Sequence, residues 1–493
     1  MIPFPEVRPG SPSRALARTP ALVVDLDGTL LKTDVLLESV LLLLRQKPQC
    51  LFLLAVWLIR GRAHLKQQVA SRVALDVRTL PYREDLLGYL KGERSADRVL
   101  VLATAADAQC ARSIADHLKL FDFIFSSDGS VNLSGQAKRD RLVDEFGEKG
   151  FDYVGNDRSD LKVWSSARKA IVVNPGPMVR SRIDKVTEVE RVFNGNNDGV
   201  IEHLKALRPQ HWLKNLLLFV PLMAAHRMHE LALLRNAAVA FLAFGCCASS
   251  GYLLNDIFDL SADRHHPRKY LRPFAAGNLP ISYALAMIPV LIGLSAILGA
   301  AVGPLFLAVL AGYFVLTVTY SLLLKKIVLF DVMVLAALYT GRIIAGSAAV
   351  SIWPSYWLLA FSTFLFFSLA LVKRCGELAA MRRIEGVRAK ARAYEASDGE
   401  LLTIMGTASG YLSVLVLALY VNSGTAQVLY GRYELMWLLC PLLLYWISHV
   451  WLTEHRGKMH DDPLVFATKD RTSRILILFM LAITLFALAP HSP

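Results

Sequence analysis

Two architectures are predicted for the consecutive halves of this 493-residue chain: an α/β domain with a helical insert, then an all-α polytopic membrane domain of about nine helices. Three observations lead there. Charge is spread evenly through residues 1–200, which carry 29 Lys/Arg against 25 Asp/Glu, but is gathered into short clusters through 201–493, which carry 25 against 16. Between those clusters lie apolar runs of about 20 residues, the length a helix needs to cross ~30 Å of hydrocarbon. In the first half, apolar runs rich in β-branched residues end in acids or hydroxyls, as when buried parallel strands deliver chemistry at their C-terminal ends.

Residues 1–20, "MIPFPEVRPGSPSRALARTP", have basic residues but no apolar core before the proline, and read as a loose cytosolic leader, not a cleaved signal peptide. Six cysteines (Cys50, Cys110, Cys246, Cys247, Cys375, Cys440) lack the spacing of a zinc site or disulfide framework and read as reduced packing thiols. The first domain is placed at 21–177. "ALVVDLDGTLLKTD" gives a strand ending at Asp25 and Asp27, "RVLVLATA" a second ending at Thr104, and "FDYVGNDRSDLKVW" a third followed by Asp157 and Asp160. Lys138 lies in "SGQAKRDRLVDEFG". An insert at about 33–97 holds two apolar stretches, 35–44 and 50–59, broken by Arg45, Lys47 and Pro48. Each is about ten residues, too short to span, so a helical cap resting on the bilayer is expected. Residues 178–204, which include "NGNNDG", are read as a linker to a membrane domain at 205–493.

The motifs of the first domain resemble those of the haloacid dehalogenase-like phosphatase family, which implies a Rossmann-like fold. The resemblance implies that Asp25 attacks phosphorus, that Asp27 is the general acid/base, and that Thr104 and Lys138 hold the phosphoryl group. It further implies Mg²⁺ held by Asp25, Asp27, Asp157 and Asp160. Where that family commonly reads G-D-x-x-x-D, this chain has Gly155-Asn156-Asp157-Arg158-Ser159-Asp160, an amide in place of the first acid. A retained fold without catalysis therefore stays open.

In the second half nine spans are read at roughly 213–226, 236–254, 281–300, 304–323, 328–349, 354–372, 402–422, 434–452 and 474–490. The connections 255–280, 324–327, 373–401 and 453–474 hold 4, 2, 7 and 5 Lys/Arg, whereas the alternate connections hold only Arg227, Arg235 and Arg432. That asymmetry places the first group, and with it the N-terminal domain, in the cytoplasm of a protein of the cytoplasmic (inner) membrane. The segment 373–400 reads as a cytosolic loop touching anionic headgroups. Because the basic residues are tied to membrane ends, nucleic-acid binding is excluded as a class.

After the second span comes "GYLLNDIFDLSADRHHPRKYLRP". Asp256, Asp259 and Asp263 fall at i, i+3 and i+7, on one face of a regular helix. An oxygen-only set suits Mg²⁺ held with substrate phosphates. Asn255 offers an amide, and Arg264, Arg268, Lys269 and Arg272 offer bases for phosphate oxygens. A solvated charge-rich loop is the plainer reading of such a cluster. His265-His266 is not read as a metal pair, since adjacent side chains on a helix diverge.

The order N-D-x-x-D-x-x-x-D followed by Arg272-Pro273 and Gly277 resembles the first motif of the UbiA superfamily of intramembrane prenyltransferases, in which such aspartates bind Mg²⁺-diphosphate. Many aromatic prenyltransferases of that superfamily have a second acidic motif. Here "TYSLLLKKIVLFDV" stands instead, with Tyr320, Lys325 and the single acid Asp331. Asp331 and Arg342, about 16 Å apart along one helix face, are functional candidates because ionisable groups at such depth are costly. "LRPQHWLKN", with Lys214, and "DDPLVFATKDRTS" complete a resemblance to the polyprenyl-phosphate (decaprenyl-phosphate) phosphoribosyltransferase branch.

That resemblance implies transfer of 5-phosphoribose from phosphoribosyl diphosphate to a polyprenyl phosphate. Catalytic Asp256 and Asp259, with Asp263, would hold Mg²⁺, and Lys214, Asn255, Arg272, Tyr320, Lys325, Asp331 and Arg342 would bind substrate. The partners implied are a polyprenyl lipid, a soluble sugar diphosphate and the bilayer. An aromatic-substrate prenyltransferase using a polyprenyl diphosphate is the alternative within enzymes. A non-catalytic lipid- or phosphate-binding anchor is the alternative of another class.

Overall fold

Six parallel strands form the N-terminal sheet of this protein, seen in a computed structural model that describes residues 19–128, 131–195, 199–382, 394–395, 397–459 and 462–488. The leader lies almost wholly outside the described residues, as does part of the 373–400 loop. The strands are β1 (Ala21–Val24), β2 (Leu100–Asp107), β3 (Phe123–Ser127), β4 (Phe151–Gly155), β5 (Lys169–Val173) and β6 (Glu188–Phe193), in the order 3-2-1-4-5-6. β1 is buried along its whole length because its Ala-Leu-Val-Val run packs on both faces. The order reverses between β1 and β4, the switch point at which an open α/β sheet places its chemistry.

β6 lies inside the stretch read as a linker. Its sequence, EVERVF, has charged residues exposed on an edge, which gives it the polar look of a connection although it pairs with β5 from Lys169 to Val173. The insert is helical: α1 (Val35–Gln46), α2 (Leu51–Ile59), α3 (Arg62–Ala70) and, after a turn, α4 (Glu84–Ser95). Asp34 starts α1 by accepting from Leu37 N–H. Leu43, Cys50, Trp57, Leu65 and Val69 give the insert its own small core. The outer face of α2 exposes Phe52 and Ile59 at 81% and 86%. After β2 come α5 (Ala108–Leu118) and α6 (Gln136–Phe146).

Contacts group Asp256–Ala286 with the N-terminal residues into one compact unit and Leu207–Asn255 with Met287–Pro493 into a second. Among the described residues, seven helices are long and apolar enough to cross a membrane: Leu231–Phe258, Ile281–Val302, Pro304–Leu322, Phe330–Val350, Tyr356–Ala379, Asp398–Val421 and Tyr433–His455. The other two expected spans differ. Around 213–226 the chain forms a 3₁₀ run, Pro209–Phe219, and a short helix, Val220–Ala224, with Pro221, which has no N–H to donate, just past their junction. Arg471–Ala487 is an apolar helix of only 17 residues. The 3₁₀ run packs against Phe330–Val350 at Gly346, where a Cβ would lie 2.1 Å from the Leu218 carbonyl oxygen, so only glycine admits this approach.

Candidate functional site

The loop after β1 carries Asp25 and Asp27 to the switch point. Lys138, from the start of α6 and 4% exposed, puts Nζ 2.6 Å from Asp25 Oδ1 and 3.1 Å from the Tyr153 hydroxyl. Thr29 donates to Asp25 Oδ2 at 3.1 Å and to Asn156 Oδ1 at 3.2 Å. Gly28, at φ +72°, lets this turn close against Asn156: a Cβ there would sit 2.3 Å from Asn156 Nδ2. Asp27 Oδ1 accepts from Val35 N–H at 2.8 Å. Burial, then the charges of Asp34 and Asp25, push the Asp27 carboxyl up to about 8, so it carries a proton at neutral pH. Burial opposes the charge on Lys138, but Asp25 and Asp160 outweigh it and keep the ammonium charged. The Thr104 hydroxyl, fully buried, accepts from Ala106 N–H at 2.9 Å.

Asp160 is not presented as an open metal ligand. One of its oxygens accepts from the N–H groups of Asn156 and Asp157 at 2.9 and 3.0 Å, and the other from the Tyr153 hydroxyl at 2.9 Å. It shapes the loop, while Asp157 stands exposed. Asp27 and Asp160 both feel the charge of Asp25, and the Asn156 amide is joined to Asp25 through Thr29. Sequence reading missed Lys66 on α3, whose Nζ donates to Ala105 O at 2.6 Å and Asn132 Oδ1 at 2.8 Å beside Thr104.

The acidic segment departs from one regular helix. The helix from Leu231 ends at Phe258, and Asp259 precedes a short new helix, Leu260–Arg264. Asp256 and Asp263 still converge: Arg272 Nη1 lies 3.2 Å from Asp256 Oδ1 and 2.6 Å from Asp263 Oδ2. Asp259 is turned toward Arg45, 3.6 Å away. Two carboxylates meeting at one cationic nitrogen are a donor set that fits a divalent metal. Among the described residues, no group of three or more His, Cys, Asp or Glu is gathered as a closed metal site.

The second unit holds three polar networks. Lys214 Nζ lies 2.7 Å from Asp462 Oδ2, Tyr339 donates to both Asp462 oxygens at 2.9 and 2.8 Å, and Lys373 stands 3.6 Å from the same carboxylate. Burial would raise the Asp462 carboxyl, but Lys214 and Lys373 outweigh it and hold it well below the usual carboxylate range. Arg342 does not face Asp331. Its three nitrogens donate to Asn215 Oδ1 at 3.2 Å, Leu338 O at 2.5 Å and the Tyr313 hydroxyl at 2.8 Å, under aromatic rings. Asp331 binds Arg374 and accepts from the Tyr394 hydroxyl at 2.5 Å. Both groups are engaged with partners on other helices of the bundle. Lys325 Nζ reaches Asn255 Oδ1 at 3.4 Å, and Tyr320 packs against the buried cluster that includes Phe306, Tyr313 and Leu338. Asp462, Tyr339 and Lys373 were the functional candidates missed; "DDPLVFATKDRTS" was the signal for the first.

The apolar helices of spanning length define the class of multi-pass membrane proteins. Residues 216–469, half of the chain, match the UbiA prenyltransferase family, and this chain belongs to that family. It is 36% identical over 461 residues to the uncharacterized protein y4nM of Sinorhizobium fredii, covering 92% of this chain and 88% of that one. It is 29% identical over 287 residues to the decaprenyl-phosphate phosphoribosyltransferase of Mycobacterium tuberculosis, covering 57% of this chain and 91% of that one. A UbiA homologue from Archaeoglobus fulgidus, solved with GPP and Mg²⁺, is similar over 57% of this chain and 99% of its own at 16% identity and a TM-score of 0.45.

Proposed function

We propose that the membrane half transfers 5-phosphoribose from phosphoribosyl diphosphate to a polyprenyl phosphate, and that the N-terminal half is a haloacid dehalogenase-like phosphatase acting on the product. The observation that carries the transferase reading is the meeting of Asp256 and Asp263 at Arg272 Nη1. The relation to a decaprenyl-phosphate phosphoribosyltransferase supports the choice of donor.

A lipid phosphate oxygen attacks C1 of the ribose, the C1–O bond to diphosphate breaks, and pyrophosphate leaves with the bonding pair. Asp256, Asp259 and Asp263 would hold Mg²⁺, which when bound neutralises charge gathering on the leaving group. Arg272, released from the acids, takes phosphate oxygens bidentately. In the second unit Lys325, with Asn255, and Lys214, with Lys373, offer cationic positions for phosphate. Tyr339 and Asp462 hold Lys214 in place, and Arg342 fixes Asn215.

In the N-terminal half, Asp25 attacks phosphorus of the ribose 5-phosphate while Lys138 holds the phosphoryl oxygens. Asp27, protonated at neutral pH, gives its proton to the departing alcohol oxygen. Asp25, the Asp27 carbonyl and Asp157 would hold Mg²⁺ there, which shields the nucleophile from the phosphate charge. Eighteen Lys/Arg in one set of connections against three in the other support a cytosolic 255–280 connection, and the grouping of Asp256–Ala286 with the N-terminal residues supports a cytosolic N-terminal half, a topology in which the chain also crosses at 209–224. The exposed apolar face of α2 would rest on that membrane surface.

The test is a donor comparison on the purified full chain: labelled phosphoribosyl diphosphate with polyprenyl phosphate, against labelled polyprenyl diphosphate with aromatic acceptors. Labelled lipid from the first alone is expected. Product from the second alone would replace this reading with aromatic prenylation.

A further inference from the structure

The insert of the N-terminal domain meets the acidic segment through buried charge. Glu38, on α1, is 4% exposed, and both of its oxygens are taken by Arg264, whose Nη1 and Nη2 donate at 2.7 and 2.6 Å. The same guanidinium donates through Nε to the Ala275 carbonyl at 3.0 Å. One side chain thus ties the short helix Leu260–Arg264, which follows Asp259 and carries Asp263, to the chain beyond Arg272. Two turns further along α1, Arg45 lies 3.6 Å from Asp259. His265 is 3.2 Å from Asp76, which follows α3 in the insert. At Gly277, φ +70°, a Cβ would fall 2.6 Å from Lys32 and 3.1 Å from Pro81, so the end of the segment also closes on the N-terminal chain.

These contacts all lie within one compact unit. A buried bidentate ion pair persists only where its geometry offsets the desolvation of both charges, and removing one partner strands the other. That makes Glu38–Arg264 a point of fixation and not a surface contact. Each nitrogen of Arg264 already donates to an acceptor within this unit, and its charge is met by Glu38.

We propose that Glu38 is a positioning residue of the transferase, fixing through Arg264 the segment that presents Asp256, Asp259 and Asp263. The acidic face of the membrane enzyme is built on the insert of the fused N-terminal domain. The functional part rests on the reading that these aspartates serve the diphosphate donor.

Amide hydrogen exchange of the full chain in lipid nanodiscs, without substrate, tests the fixation apart from that reading. E38Q is expected to speed exchange across 260–278 by about tenfold or more, E38D by less, with the bundle helices unchanged. Transfer kcat/KM is expected to fall in the same order. Where E38Q yields little folded protein, R264K, which keeps charge but loses the fork, is expected to loosen the same stretch. Native exchange across 260–278 in either folded variant overturns the proposal. D256N retaining transferase activity would sink the reading of the aspartates and leave the exchange result to decide the fixation.

Discussion

The two acidic sites of this chain are built in opposite ways. Around Asp25 the acids are close enough to disturb each other: Asp27 is pushed up to about 8, and one buried lysine, Lys138, supplies the compensating charge. Around Asp256 every acid is met by an arginine: Arg272 on Asp256 and Asp263, Arg45 on Asp259. On the proposed function, the first arrangement would store a proton and aim a nucleophile, and the second would hold charge in balance until a metal and a diphosphate exchange for the guanidinium. Proton transfer needs a perturbed acid, while binding a leaving group needs fixed charges that can be re-paired.

That contrast is broken most sharply by removing one acid from each site. D256N is expected to lower lipid transfer by at least about a hundredfold while hydrolysis stays within about twofold, and D25N to do the reverse. Assays of both activities on each purified variant check this, and parallel loss in both would show that the halves are not separate sites. D462N leaves the buried Lys214 without its carboxylate and is expected to cost about 3 kcal/mol, read as a lower unfolding temperature in detergent, with transfer reduced as well. N156D places an acid beside Asp25 and Asp27 and is expected to tighten Mg²⁺ binding to the N-terminal half about tenfold by calorimetry. Unchanged affinity would mean that Asn156 lies outside the metal's reach.

The smallest effect comes from Asp27. Its folded acidity is weaker than its unfolded value of 3.8, so between about pH 4 and 8 the folded chain holds the extra proton and stability falls as pH rises. D27N, which cannot ionise, is therefore expected to melt a few degrees higher than the native chain at pH 8 and no higher at pH 4, by calorimetry. Native hydrolysis, needing the protonated acid, is expected to decline as pH rises through about 8.

Much of the N-terminal site was legible because strand ends announce themselves: β-branched runs stop at Asp25, Thr104 and Gly155, and the fold brings the first two and Asn156 together at one switch point. Lys138 was legible only through family resemblance. β6 was not, because an edge strand with alternating charges looks like a connection. The acidic segment was legible as a motif, but the helix break at Asp259 was not, since nothing in "NDIFDLSADR" forbids a helix. Partners distant in sequence were hidden altogether. Asp331 finds Arg374 and Tyr394, and Lys214 finds Asp462, across gaps that spacing cannot bridge. Asp331 and Arg342 were legible as costly buried charges on one helix, but their partners lie on other elements of the bundle.

The most direct test follows one label through both halves. Native, D25N and D256N chains are incubated with polyprenyl phosphate and phosphoribosyl diphosphate labelled at the 5-phosphate. The account predicts label passing into lipid and then appearing as inorganic phosphate with the native chain, stopping in lipid with D25N, and entering no lipid with D256N. Lipid labelling by D256N at the native rate would contradict it.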